Sequence, residues 1–199
     1  MTDRELFPQV RLLHELLREY SKDEKEYKAY VQSLKNSALT AFYTPEPVVT
    51  AMQESLQLPG IRPGRFLDPS AGTGMFISGL KDVPEVHCFE KDKLTGKILS
   101  SLYPESRVTI DGFQSIQPYY NNYFDMVSSN TRVYDRDFDR SEDVVRKSSL
   151  AAVHNYFFLK GMDTLHEGGI LAYITTSGVM DSPQNRPVRE WLVNHANLV

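Results

Sequence analysis

The sequence predicts an α/β fold with a doubly wound, mainly parallel sheet and a helical cap at its N-terminus. From residue 65 onward, short apolar runs that suit strands alternate with amphipathic runs that suit helices. The first strand leads directly into a glycine-rich turn, FLDPSAGTG at 66–74, which allows a backbone to approach a ligand closely. A polar residue ends each strand–helix unit, so we expect ligands at the carboxyl edge of the sheet.

Residues 1–40 are predicted to be a helical cap or connector that precedes the sheet-containing domain at 41–199. Pro8 suits the first turn of a helix, and leucines follow at helical spacing up to Tyr20. A second helix is predicted at about 23–37, with tyrosine and aliphatic side chains along one side. Seven acidic and seven basic residues balance the charge of this region, which indicates a solvated face.

Periodicity predicts the remaining strands and helices in alternation. The strands are 65–69, 85–90, 107–110, 124–129 and 170–175, and the helices are 73–80, 92–102, 148–166 and 187–194. Glu167-Gly168-Gly169 is predicted to end the long helix, because glycine suits a helix C-terminus. Asn197-Leu198-Val199 resembles the start of a further strand, and we therefore expect the domain to be truncated at its C-terminal end.

Composition narrows the function classes. The chain has 199 residues, of which 41% are hydrophobic, and a formal net charge of −4, so no overall field attracts nucleic acid or an anionic membrane. Cys88 is the only cysteine, which excludes an internal disulfide and predicts a buried, inert thiol. No apolar run is long enough to span a bilayer and no signal peptide opens the chain, which predicts a cytoplasmic domain. The His, Cys and Asp residues show no metal-ligand spacing, so no metal is predicted.

Polar residues recur at the spacing of one strand–helix unit. Thr44, Asp68, Glu90, Asp111 and Asn130 are separated by 24, 22, 21 and 19 positions, and a doubly wound sheet would bring them to one edge. The turn after the first strand lacks the third glycine of GxGxxG and holds no basic residue. The edge is therefore predicted to suit a nucleoside-type ligand without phosphates.

Two segments carry a family resemblance. Asp68–Phe76, DPSAGTGMF, resembles the first motif of S-adenosylmethionine-dependent N6-adenine DNA methyltransferases. Ala41–Pro45, AFYTP, resembles the element that precedes it in modification subunits of type I restriction systems and in related helicase-fused methylases of mobile elements. The resemblance extends over about residues 40–199. It implies a Rossmann-like methyltransferase fold with S-adenosyl-L-methionine as cofactor.

The resemblance also implies roles for individual residues. Tyr43, Thr44 and Pro45 would line the pocket near the methionine end of the cofactor. Asp68 and the backbone of Ala71, Gly72 and Gly74 would hold the amino and carboxylate groups of the cofactor. Glu90 would bind the ribose hydroxyls, and Asp111, with Phe113 packing nearby, would contact the adenine ring. Two structural alternatives stay open: Glu90 as an ordinary charge at a strand end, and Asp111 as the head of a plain Asp-Gly turn.

The catalytic motif departs from the family pattern. Its members place Asn or Asp before a Pro-Pro or Ile-Pro pair and an aromatic residue that stacks on a flipped base. Here the strand delivers Asn130 as expected, but Thr131-Arg132-Val133-Tyr134 follows, and Tyr134 lies one position too far along to replace the aromatic. Either the loop is deleted, which leaves a pocket that binds cofactor but cannot hold a base, or the sequence lacks about five residues that the natural protein carries.

The resemblance implies an adenine-specific DNA methyltransferase with Asn130 as the catalytic residue, which would position the target amino group by hydrogen bonding. DNA would be recognised by a domain or subunit outside this chain. One alternative is a module that binds the cofactor without turnover. A further alternative keeps the reaction but acts on RNA or on a protein side chain.

Overall fold

Five parallel strands form the centre of the protein. The computed structural model describes residues 3–40, 44–57, 60–80, 82–131 and 153–199. The strands are β1 (Arg65–Asp68), β2 (Glu85–Phe89), β3 (Arg107–Thr109), β4 (Phe124–Asn130) and β5 (Leu165–Ile174). They lie in the order β3-β2-β1-β4-β5, and every neighbouring pair is parallel. The predicted α/β class with a doubly wound parallel sheet is confirmed.

Eight α-helices accompany the sheet within the described residues. They are α1 (Asp3–Tyr20), α2 (Glu24–Thr40), α3 (Glu46–Gln57), α4 (Met75–Ser78), α5 (Lys93–Leu102), α6 (Val153–Thr164), α7 (Gly178–Asp181) and α8 (Arg186–His195). The chain builds outward from β1 to β3 and then returns to place β4 on the other side of β1. The carboxyl ends of β1 and β4 therefore flank the point where the strand order reverses, which is where ligands bind in open α/β sheets.

The two faces of the sheet are covered by separate apolar clusters, because side chains alternate along each strand. Leu67 and Val127 belong to one cluster, with Phe157 of α6 and Val188 of α8. Phe66 and its neighbours on the other face pack with residues of α3 and α4 in a second cluster, whose buried members are Val49, Phe66, Phe76 and Met126. Both faces are thus buried, as a parallel sheet requires. Cys88 on β2 has no exposed surface, in agreement with its predicted placement.

The second helix of the predicted cap, α2, packs on α5 through polar contacts. Ser33 of α2 donates a hydrogen bond to Asp92, the N-cap residue of α5. Lys97 of α5 donates to the hydroxyl of Tyr30 and pairs with Glu26 at 3.6 Å. The division into a cap at 1–40 and a domain at 41–199 stays a prediction.

Several element predictions need correction. Pro8 lies inside α1, which begins earlier, at Asp3. The helix predicted at 73–80 is only Met75–Ser78, because Gly74 at its N-cap is left-handed (φ 91°) and Gly79 caps its other end. The sequence Glu167-Gly168-Gly169 does not end α6: it lies within β5, whose first residue, Leu165, already pairs with Phe124.

Residues 196–199 have no regular secondary structure, so the further strand predicted there is absent from the described residues. The predicted start of the long helix, at 148–152, lies outside the described residues. None of the helices in the described parts of the chain is long and apolar enough to cross a bilayer.

Candidate active site

The carboxyl ends of β1 and β4 bring together the candidate site residues from distant parts of the sequence. Asp68 ends β1, and its Oδ1 accepts a hydrogen bond from Ser129 Oγ of β4 at 2.7 Å. The next residue, Asn130, donates from Nδ2 to Oγ1 of Thr44 at 3.0 Å. Thr44 is buried directly before α3, whose first turn is anchored by the Pro45 carbonyl. The two segments that carry the family resemblance thus meet beside the predicted catalytic residue.

The glycine-rich turn is tied to the end of β2. The N–H of Ala71 donates to the Phe89 carbonyl at 2.9 Å, and the N–H of Gly72 donates to Glu90 Oε2 at 2.8 Å. Gly72 and Gly74 both have positive φ, 56° and 91°, a conformation that glycine adopts without a steric cost. The turn is therefore fixed against the end of β2, and the N–H of Gly74 closes it by donating to the Ala71 carbonyl at 2.8 Å.

Gly74 also has a packing role. A Cβ at this position would collide with the ring of Tyr103 and would lie 2.9 Å from Cδ1 of Leu99, a residue of α5. The glycine thus permits close contact between the turn and α5, whether or not a ligand is bound.

Glu90 accepts backbone hydrogen bonds through both of its carboxylate oxygens. Its Oε1 accepts from the N–H of Asp92 at 2.7 Å, while Oε2 accepts from Gly72. Burial raises the pKa of Glu90, and the backbone donors partly offset this effect. Each carboxylate oxygen can accept more than one hydrogen bond, so the residue can close the turn and still accept from a ligand hydroxyl.

Asp68 is the most perturbed acid of the site. It is completely buried, and Oδ1 accepts from both Ser129 Oγ and the N–H of Ser70, the latter at 3.0 Å. Oδ2 is buried without a hydrogen-bond partner among the described residues. The pKa of Asp68 is raised to about 7, mainly by burial and to a lesser extent by the nearby Glu90, while the hydrogen bonds from Ser129 and Ser70 oppose the rise. A cationic ligand group at Oδ2 would relieve both the missing hydrogen bond and the cost of burying the charge.

Asp111 and Phe113 follow β3 but differ in exposure. The Asp111 side chain is exposed, and its Oδ1 accepts from the N–H of Gly112 at 2.7 Å, the geometry of the Asp-Gly turn alternative. Phe113 is only 2% exposed and stacks on Phe157 with ring centroids 5.7 Å apart. The Phe113 ring belongs to the core, where it packs beneath the Asp111-Gly112 turn and stabilises it. Tyr43 lies outside the described residues.

The backbone after Asn130 continues the strand pairing. Thr131 is completely buried, and its N–H donates to the Ile174 carbonyl at 3.0 Å. Proline has no N–H and could not make this bond. The family motif has a proline within two residues after the asparagine. Here the first residue after Asn130 is Thr131, and its amide is hydrogen-bonded to β5. Tyr134 lies outside the described residues.

Sequence reasoning missed Ser129. The signal was present, because Ser128 and Ser129 form a polar pair directly after the buried apolar residues Met126 and Val127 of β4. Buried hydroxyls are almost always hydrogen-bonded, and alternation along the strand sends the two to opposite faces. Ser128 donates to the Ala172 carbonyl of β5, whereas Ser129 donates to Asp68.

No metal centre is evident in the described parts of the chain, where no group of three or more His, Cys, Asp or Glu side chains is placed to hold an ion.

Comparison with known proteins points to restriction–modification methylases. No family model matches the chain. It is 28% identical over 153 residues to Defense against restriction protein B of Escherichia phage P1, with 76% of this chain and 7% of that protein covered. It is 26% identical over 174 residues to Type II methyltransferase M.XamI of Xanthomonas campestris pv. amaranthicola, with 77% and 33% covered. The chain thus spans a third or less of the length of these curated relatives.

Solved structures share the fold. A protein assigned as a modification subunit of a type I restriction enzyme from Vibrio vulnificus YJ016 matches with a TM-score of 0.56 at 17% identity, covering 90% of this chain and 43% of that one. A protein assigned as a class I S-adenosylmethionine-dependent methyltransferase from Listeria monocytogenes matches with a TM-score of 0.58 at 16% identity, covering 89% and 61%. The resemblance that the two sequence motifs indicate is confirmed, and the chain has the Rossmann-like fold of S-adenosylmethionine-dependent methyltransferases, with relatives among the methylases of restriction–modification systems.

Proposed function

We propose that this chain binds S-adenosylmethionine and transfers its methyl group to N6 of adenine in DNA. The observation that carries the proposal is the hydrogen bond between Asn130 and Thr44 beside Asp68. It joins the segment before α3 to the ends of β1 and β4, so the residues proposed for cofactor binding and for catalysis share one site. The relatives in restriction–modification systems support the same reaction class.

The buried acid at the end of β1 fits the cofactor. The unpartnered Oδ2 of Asp68 would accept from the cofactor's amino group. The cofactor's carboxylate would lie against the left-handed turn of Ala71, Gly72 and Gly74, whose N–H groups donate within the chain in this structure and would have to be shared with it. Glu90 would accept from the ribose hydroxyls, and Asp111 would contact the adenine ring. Tyr43, Thr44 and Pro45 would line the methionine end, while Phe113 would hold the Asp111 turn through its buried ring.

Catalysis would depend on positioning. When bound, S-adenosylmethionine supplies a methyl group on a sulfonium, which is already a strong electrophile. Asn130 would accept a hydrogen bond from the target amino group, which makes its nitrogen lone pair more available for attack, and the proton that the methyl group displaces from N6 would pass to solvent. Thr44 fixes the orientation of the Asn130 amide, because it accepts from Nδ2. Target recognition would come from a domain or subunit outside this chain.

A second candidate function is a module that binds the cofactor without turnover. The sequence after Asn130 favours it, since Thr131-Arg132-Val133-Tyr134 contains no proline and has no aromatic residue at the position that would stack on the base. RNA or a protein side chain as the methyl acceptor is the further alternative, and the net charge of −4 offers no general attraction for any nucleic acid.

Calorimetric titration with S-adenosylmethionine, followed by transfer of a labelled methyl group to adenine-rich DNA, tests these functions. The proposal expects binding, transfer to N6 of adenine, and loss of transfer but not of binding in Asn130→Ala. The exposed Asn121→Ala is the matched control and should behave as the wild type. Binding of the cofactor without methyl transfer to DNA would support the non-catalytic module. Transfer of the labelled methyl group to RNA or to a protein would support the further alternative. Absence of binding at millimolar cofactor would overturn all three.

A further inference from the structure

Ser129 and Asp68 form a completely buried side-chain pair at the centre of the site. Neither residue has exposed surface, and Ser129 Oγ lies 2.7 Å from Asp68 Oδ1. The Ser70 N–H reaches the same oxygen at 3.0 Å, so two donors converge on Oδ1. Oδ2 has no hydrogen-bond partner among the described residues. The carboxylate is therefore held from one side only.

The other titratable groups around Asp68 do not stabilise its negative charge. Glu90 and Cys88 interact with it from the direction of β2, and Tyr173 interacts with it from β5. The side chains of these three residues are either neutral or negatively charged, and none can carry a positive charge. No ion pair joins Asp68 to a lysine, arginine or histidine in the described parts of the chain. The Ser129 hydroxyl is the side-chain donor that favours the ionised form.

We propose that Ser129 is a positioning residue for cofactor binding, whose hydroxyl holds Oδ1 of Asp68 so that Oδ2 is kept for a cationic amino group of the ligand. This inference rests on the proposed S-adenosylmethionine site. Ser129 immediately precedes Asn130 on β4, so one strand supplies both the support for the binding acid and the catalytic amide. The hydrogen bond spans 61 positions of the sequence, and it ties the end of β1 to the end of β4.

Loss of the hydroxyl would leave Asp68 neutral up to a higher pH. An ammonium group binds a carboxylate far better than it binds a neutral acid, so cofactor affinity should rise with pH as Asp68 ionises. In Ser129→Ala this rise should occur at higher pH than in the wild type. If the hydroxyl had a purely structural role, its loss would weaken cofactor binding equally at every pH. The pH at which the affinity rises would then be the same as in the wild type.

Titration calorimetry with S-adenosylmethionine from about pH 5.5 to about pH 7.5 separates these cases, because the α-amino group of the ligand stays mainly protonated over that range. We expect Ser129→Ala to bind about tenfold more weakly near pH 7, with a smaller difference near pH 5.5, where Asp68 is mainly protonated in both proteins. Ser128→Ala is the matched control, because it removes a neighbouring buried hydroxyl that donates to a backbone carbonyl. Its pH profile should coincide with that of the wild type. Ser129→Thr retains a hydroxyl, so its cofactor affinity should rise at the same pH as that of the wild type.

A second measurement uses the wild-type chain alone. Because the pKa of Asp68 is raised to about 7, binding of a cationic ligand near pH 6.5 should release protons, which calorimetry detects in buffers of different ionisation enthalpy. Absence of proton release, or identical pH profiles for Ser129→Ala and Ser128→Ala, would overturn the role of Ser129 while leaving the cofactor site intact. Failure of the wild type to bind at any pH would overturn both the site and this inference.

Discussion

The hydrogen bond from Asn130 Nδ2 to Thr44 Oγ1 joins two residues that are 86 positions apart. Thr44→Val removes the acceptor but keeps the shape of the side chain, so the Asn130 amide loses its fixed orientation. We expect methyl transfer to slow by about tenfold, the effect of one hydrogen bond, while the Kd for S-adenosylmethionine changes by less than about threefold. Single-turnover kinetics and calorimetry measure the two quantities.

Thr44→Ser is the control for this substitution, because it retains the hydroxyl. We expect Thr44→Ser to transfer methyl groups at nearly the wild-type rate. If it were as slow as Thr44→Val, loss of the hydrogen bond would not account for the defect, because serine keeps the hydroxyl.

Gly74 offers a second test at the scale of a residue. Gly74→Ala combines a left-handed φ of 91° with a collision against Tyr103, and we expect it to lower the free energy of unfolding by about 2–4 kcal/mol. Gly60→Ala has a similar φ of 84° but open space around the new methyl group, and it should cost only about 1 kcal/mol. Urea unfolding of both variants separates backbone strain from the collision. Equal losses would assign the whole effect to φ.

The individual site residues differ in how well the sequence could predict them. Spacing alone placed Asn130 at the sheet edge, because the carboxyl ends of parallel strands meet there. Thr44 follows no strand in the described parts of the chain, and it reaches Asn130 from the segment just before α3. It could not show that Phe113 is buried, since a ring beside an Asp-Gly turn can point either inward or outward. Ser129 escaped notice because its partner is distant in the sequence, and local pattern carries no information about such a pair.

At the scale of elements, α2 is held to α5 by a buried contact. Ser33 is 5% exposed, donates to Asp92 and accepts from the N–H of Leu94 at 3.3 Å. Ser33→Ala should lower the free energy of unfolding by about 1–2 kcal/mol, because it removes a hydrogen bond to a carboxylate. Hydrogen exchange at the Leu94 amide should become faster. Both are measured against Ser55→Ala, which removes an exposed hydroxyl on α3 and should change stability little.

If Ser33→Ala matched Ser55→Ala in both measurements, the contact between α2 and α5 would carry no stabilising energy. The same contact reaches the site, because Asp92 also donates its N–H to Glu90.

The strands were easier to predict than their connections. β2 and β4 each differ from the predicted range by one residue. The structure of the glycine-rich segments was harder to predict, because glycine is common in turns, at helix ends and in irregular strands. Gly168 has φ 81°, which suits a helix end and also suits the irregular β5 strand, where the register shifts opposite Phe124 and Met126. Only the pairing of Leu165 with β4 decides between them.

For the whole molecule, buried acids make stability depend on pH. The pKa of Asp68 is about 7 in the folded state against an ordinary value of 3.8, so the folded chain binds this proton more tightly than the unfolded chain. The resulting stabilisation is complete below about pH 4 and is lost as the pH rises towards 7, a difference of roughly 4 kcal/mol. Asp125 has the opposite effect: although burial raises its pKa, hydrogen bonds from Arg65 and Gly64 leave that pKa below its usual value.

Asp68→Asn isolates the larger effect, because an amide does not titrate. We expect this variant to gain stability relative to the wild type between pH 5 and pH 8 in the absence of cofactor, as measured by urea unfolding. Parallel stability curves for the two proteins over that range would show that Asp68 remains ionised throughout.

The burial of Cys88 has a practical consequence. The only thiol of the chain is completely enclosed, and burial, with Asp68 nearby, raises its pKa, so very little thiolate is available to an alkylating reagent. Cysteines introduced at exposed positions such as Tyr20→Cys on α1 and Tyr119→Cys beyond β3 would therefore accept fluorescent labels without removal of the native thiol. Energy transfer between two such labels would report directly on whether the N-terminal helices move relative to the sheet when cofactor is added.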